Sequence, residues 1–253
     1  MDEHSELDDL VLQIESEVDR FIGDQSASRN FVAAMLSTER SEVGDYPQAS
    51  LDTSKEYLED DGDLYQDRFP KSLHEPIVLE LSRAAKWTDV LSAGLWSHAF
   101  LLSDKALAVF EQFDLGKSKK YKAEVRRGKE VQRYTLLFVA NHVLMEDIDI
   151  GECEFYLEEM SGSPKHLVEV SSVEDLKQKK VQAMKGELEG SKRFNRLAYK
   201  KLTFMAGHAP KPAIFGMGKL SATETYVRRE LYEALRDAGL TGLEFRRNNK
   251  LFD

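Results

Sequence analysis

The chain has 253 residues, 42% hydrophobic and 32% charged, enough for a real core under a well-solvated surface. A net charge of −10 disfavours nonspecific nucleic-acid binding, and the single cysteine, Cys153, excludes an internal disulfide or a cysteine metal cluster. No stretch approaches the ~18 apolar residues of a membrane helix.

The acidic start, MDEHSELDDL, lacks the basic and then apolar pattern of a secretory signal. With the lone cysteine this predicts a cytoplasmic protein. Charge is unevenly spread. Residues 1–63 hold 18 of the 45 acids and four of the 35 basic residues, so this quarter carries −14 and the remainder +4. An acidic face steers a basic partner. The plainer reading of such a run is solubility.

Between Ser5 and Ile22, the residues Leu7, Leu10, Val11, Ile14, Val18, Phe21 and Ile22 fall at helical spacing, and Gly23 ends the pattern. Phe31, Val32, Met35 and Leu36 predict a second, short helix over Asn30–Thr38. Together they form an expected N-terminal helical hairpin, so residues 1–40 read as an acidic helical extension to a domain over 41–253. Gly44, Pro47, Gly62 and Pro70 break up residues 41–75. The run Glu59-Asp60-Asp61-Gly62-Asp63 lacks the twelve-residue calcium-loop pattern and reads as a solvated or partner-facing loop.

Residues 76–81, PIVLEL, predict a strand. Lys119–Arg126 and Val131–Ala140 predict a hairpin about Gly128, and the second arm, the most apolar stretch in the chain, should be central in a sheet. Asp147–Gly151 resembles a calcium loop, but Glu152 stands where the turn needs glycine, so a strand end is favoured. Short strands are expected over 154–157, 166–170, 199–205 and 212–217. Ser172–Lys185 reads as a charged helix, with Ser172 and Asp175 in a capping-box pattern.

The C-terminal region carries the clearest pattern. Val227, Leu231, Ala234, Leu235 and Ala238 mark one helical face, Gly239 terminates it, and Leu243 and Phe245 predict a following strand. Leu102, Ala106, Val109, Phe110 and Phe113 repeat those spacings 125 residues upstream, with Ser103 as N-cap. Duplication of a helix-then-strand unit and chance likeness of two amphipathic helices both explain this.

No catalytic motif emerges. The six histidines show no paired metal spacing, and Gly216-Met217-Gly218-Lys219 fails the phosphate-loop pattern because Leu220 follows the lysine. Glu152 and Glu154 flank Cys153 and should raise its pKa. No catalytic, cofactor-binding or metal residue is assigned, and no cofactor is expected. Trp87, Trp96, Phe138 and Phe155 read as core, and nothing in the aromatic spacing matches nucleic-acid recognition.

The segments Ala213-Ile-Phe215, Val227–Leu235 and Asp237-Ala-Gly-Leu-Thr-Gly-Leu-Glu-Phe245 resemble a bacterial family, polymorphic-toxin immunity family number eleven, whose members tend to end in "ALEEAGLTGLEF". Thr88-Asp-Val-Leu91 before Leu101-Leu-Ser-Asp104 fits as well. The resemblance covers about residues 76–247. It departs at Arg228-Arg229, where the family often has Ser-Asp. It implies a cytoplasmic protein that occludes a cognate toxin without turnover. The partner expected is a toxin or effector protein with a basic surface, with Glu59, Asp60, Asp61 and Asp63 as the toxin-binding candidates; neither nucleic acid nor membrane is expected. An effector chaperone or adaptor, and an enzyme reversing a toxin's modification, are the alternatives. The expected fold is α+β: a mixed, mostly antiparallel sheet flanked by amphipathic helices.

Overall fold

The structure, a computed structural model, describes residues 28, 30–52, 69, 74–93, 99–159, 164–218, 220 and 224–253. Its longest pairing is the expected hairpin. Strands β6 (Ser118–Arg127) and β7 (Glu130–Val139) pair over ten residues, and Gly128 takes the φ of 62° that the turn needs. Leu136, Leu137, Phe138 and Val139 are all buried. Leu136 and Phe138 enter one core with Ile77, Leu79 and Val125, while Leu137 and Val139 enter another with Ala106, Phe110, Leu231 and Leu235. A strand covered on both faces needs an unbroken apolar run, which is why this stretch lacks alternation.

The fold is α+β with mostly sheet and few helices, but the single expected sheet is three. The largest has the order β2 (Ala49–Leu51), β3 (Ile77–Leu81), β6, β7, β5 (Ala99–Leu102), β4 (Val90–Leu91), with only β3 and β6 parallel. A second sheet, antiparallel throughout, has the order β11 (Ile214–Gly216), β12 (Thr225–Arg228), β1 (Phe31–Leu36), β13 (Leu243–Arg247). The third runs β14 (Leu251–Phe252), β10 (Arg196–Thr203), β8 (Glu154–Glu158), β9 (Pro164–Val168), with β10 and β14 parallel. Four helices accompany them among the described residues: α1 (Arg40–Val43), α2 (Asp104–Phe110), α3 (Val173–Lys185) and α4 (Arg229–Asp237).

The N-terminal helical hairpin is corrected in its second half. Phe31–Leu36 is a strand lying between β12 and β13, with Phe31 edge-on to Phe215. A six-residue apolar cluster fits helix and strand alike, and here two neighbouring strands supply backbone partners that an isolated short helix lacks. The first predicted helix, Ser5–Ile22, lies outside the described residues.

The 125-residue repeat has a structural counterpart. Chain order β5–α2–β6 encloses β7 between its two parallel strands, and β12–α4–β13 encloses β1 in the same way. The helices begin at Asp104 and Arg229, the same spacing apart, and pack against each other. One detail differs from expectation. Val227, like Leu102, belongs to the strand before the helix. The five matched pairs all lie in, or against, the same core. Ser103 caps α2 by accepting from the Ala106 amide at 3.2 Å, whereas Arg228 gives α4 no side-chain cap.

Candidate functional site

Helix α3 positions one wall of a cleft. Ser172 accepts from the Asp175 amide at 3.1 Å, and Asp175 accepts from the Ser171 amide at 2.8 Å, one residue earlier than a strict capping box. Leu176 and Ala183 bury one face, Gly186 ends the helix at a φ of 77°, and Val181 and Met184 remain exposed. Lys180, between these faces, turns its ammonium toward the Leu220 carbonyl at 3.1 Å.

The cleft has a volume of about 430 Å³ and is bounded by α3, β8, β10 and the approaches to β12 and β14. Two ion pairs line it. Arg196 contacts Glu158, and Lys250 contacts Glu224 at 2.8 Å. Glu224 also accepts from the Tyr199 hydroxyl, and Tyr156 donates to Glu158 at 3.5 Å. Burial raises the Tyr199 and Tyr226 hydroxyls well above the usual tyrosine range, with the charge of Glu224 adding to it, so both stay protonated. Burial, then the charge of Arg196, lowers the Lys180 ammonium to about 8. Asn195, only 4% exposed, lines the same cleft, and its Nδ2 has no acceptor among the described residues. Leu197, Ala198 and Leu220 supply apolar surface.

A second cleft, of about 450 Å³, is lined by Asn141, His142, Asp147 and His208 among others. His208 Nδ1 lies 3.0 Å from Asp147 Oδ1. Asp147 ends one 3₁₀ turn and Ile150 begins another, with only the isolated bridge from Ile148 to Phe204 between them, so the segment is not the strand end expected. Among the described residues no three His, Cys, Asp or Glu side chains converge as metal ligands.

The toxin-binding candidates Glu59, Asp60, Asp61 and Asp63 lie outside the described residues, as does Trp96. Phe138 and Phe155 are core residues, and Trp87 packs against the core. Cys153 has its pKa raised as expected, but burial is the leading cause, with Asp149 and Glu152 contributing. Its thiol donates to the Asp149 carbonyl at 3.1 Å. The first cleft escapes sequence reasoning because its residues span 156 to 250 with no local motif; its polar members, Glu158, Lys180, Asn195, Arg196, Glu224 and Lys250, are ordinary charged or amide residues until the sheet brings them together.

No protein-family model matches the chain, and no curated protein does. No helix among the described residues is long and apolar enough to cross a membrane.

Proposed function

We propose that this chain is an immunity protein that neutralises a cognate toxin or effector by binding it stoichiometrically and occluding it, without turnover, in the cytoplasm. The observation that carries the reading is the charge asymmetry, −14 over residues 1–63 against +4 over the rest. So concentrated a negative field favours encounter with a basic protein surface, such as the substrate face of a nuclease. The resemblance over residues 76–247 supports the same reading. The C-terminal segments behind it lie close together in β11, β12, α4 and β13, with Leu231 and Leu235 buried beneath them. Glu59, Asp60, Asp61 and Asp63 are the proposed contact residues.

The test is co-expression with the product of the neighbouring gene, scoring growth rescue and co-purification together. Rescue with a stable 1:1 complex is expected. A complex without rescue would favour an effector chaperone or adaptor. Rescue at substoichiometric amounts with no complex would favour an enzyme that reverses the toxin's modification.

A further inference from the structure

We propose that the outer face of α3, with the loop leading into β10, is the docking surface for the chain's own acidic N-terminal segment, Ser5–Ile22. This stands apart from the toxin reading: with that segment docked, residues 28–63, at −6, remain to meet a partner.

The face is apolar where an exposed helix should be polar. Val181 and Met184, one turn apart on α3, are more than half exposed, and so is Phe194. The Phe194 amide donates to the Met184 carbonyl at 2.8 Å, which seats the two residues side by side. Phe194 alone among the described non-glycine residues has a positive φ, 70°. That conformation is strained for a residue with a Cβ, and strain of this kind gathers at clamps and switch regions.

Charge sets the kind of occupant. Lys177, Lys179 and Arg196 pair with Glu174, Asp175 and Glu158. Lys185, Lys192 and Arg193 are exposed and have no carboxylate partner among the described residues. They flank Met184 and Phe194 in the chain, and Arg193 lies over the Phe194 ring at 5.1 Å. The N-terminal segment is complementary. Residues 1–27 hold nine acids against Arg20 alone, a net −8, and their apolar positions run at helical spacing from Leu7 to Ile22. Such a face needs an apolar surface to bury it. The chain also brings it within reach. Ser28 donates its amide to the Leu251 carbonyl at 2.9 Å, and the adjacent Lys250 lines the same cleft as Met184. Residues 23–27 extend up to about 17 Å. Tethering raises the effective concentration of the segment at this face, so a contact too weak between separate molecules is occupied within one.

The test is paramagnetic relaxation enhancement in the full-length, ¹⁵N-labelled chain. A nitroxide is attached at Ser16→Cys, opposite the apolar positions, in a Cys153→Ser background. The amide resonances of Val181, Met184 and Phe194 should broaden at low salt and recover as salt rises, while Val131, exposed on another sheet, stays sharp. Met184→Glu combined with Phe194→Gly should abolish the broadening; both sites are exposed and glycine suits a φ of 70°, so the fold is kept. Lys185→Glu, Lys192→Glu and Arg193→Glu together should also remove it. A nitroxide-bearing chain mixed with a separate ¹⁵N-labelled chain should give no broadening; broadening in that mixture would assign the face to a second copy and refute docking within one chain. Sharp resonances on α3, or broadening that survives Met184→Glu with Phe194→Gly, would overturn the proposal.

Discussion

The carboxylate of Asp89 accepts both the amide and the hydroxyl of Thr241, each at 3.1 Å, across 152 positions of the chain. In return the Asp89 amide donates to Thr241 Oγ1 at 3.0 Å. The other carboxylate oxygen accepts from Ser103 Oγ at 3.1 Å, the same hydroxyl that caps α2. One side chain thus joins the strand-to-helix junction of the first strand–helix–strand unit to the helix-to-strand turn of the second.

Acid should loosen that joint. Burial works to raise the Asp89 pKa, but the hydrogen bonds from Thr241 and Ser103 and the charge of Lys105 together hold it below the usual 3.8. A depressed folded-state value means the stabilisation is fully present above the unfolded pKa and is lost as pH falls through the folded one. Asp89→Ala should cost about 1–2 kcal/mol at neutral pH, the scale of charge-assisted hydrogen bonds lost at a partly exposed site. Urea denaturation should show the gap from wild type narrowing as pH drops below about 4. An equal gap at both pH values would show that the ionised carboxylate is not the source.

The turn after α4 depends on Gly242. It has a φ of 89°, and a Cβ there would lie 1.9 Å from the Val90 carbonyl oxygen. Gly242→Ala should cost about 3 kcal/mol or more, since both the backbone and Val90 must yield. Gly239 has a φ of 58°, and a methyl added there would meet no described atom within 4 Å, so Gly239→Ala should cost only about 1 kcal/mol. Thermal melts of the two variants test the ranking.

Leu231 is fully buried where α4 meets the core shared with α2. Leu231→Ala should destabilise by about 2–5 kcal/mol, through lost burial and the cavity it leaves. A chemical-denaturation midpoint shifted by less would mean that α4 collapses onto α2.

Cys153 should be a slow thiol. Its pKa is raised chiefly by burial, so little thiolate forms near neutral pH. Reaction with a disulfide reagent should be slower than for a free cysteine and should accelerate on unfolding. A rate matching the free amino acid would refute this.

For the proposed toxin complex, charge gives the test. Reversing Glu59, Asp60, Asp61 and Asp63 to lysine together should slow association about tenfold or more at low salt and flatten its salt dependence. Unchanged association kinetics and salt slope would remove this loop from the interface.

Local chemistry carried much of the fold. The unbroken apolar run of β7, the hairpin glycine Gly128, the caps Ser103 and Ser172, and the stop at Gly239 are each readable because the forces involved act within a turn or a strand. The 125-residue repeat is readable for the same reason, since helical spacing records which face is buried. Phe31–Leu36 reads as a helix from sequence because its true state depends on β12 and β13, whose residues lie about 190 to 216 positions away. The cleft is invisible for a related reason. Lys180, Asn195, Arg196, Glu224 and Lys250 have no common spacing, and only the pairing of β10 with β8 and β14, under α3, draws them to one place. Periodicity reports which side of an element is buried; it carries no information about which distant element does the burying, and that choice belongs to the tertiary structure.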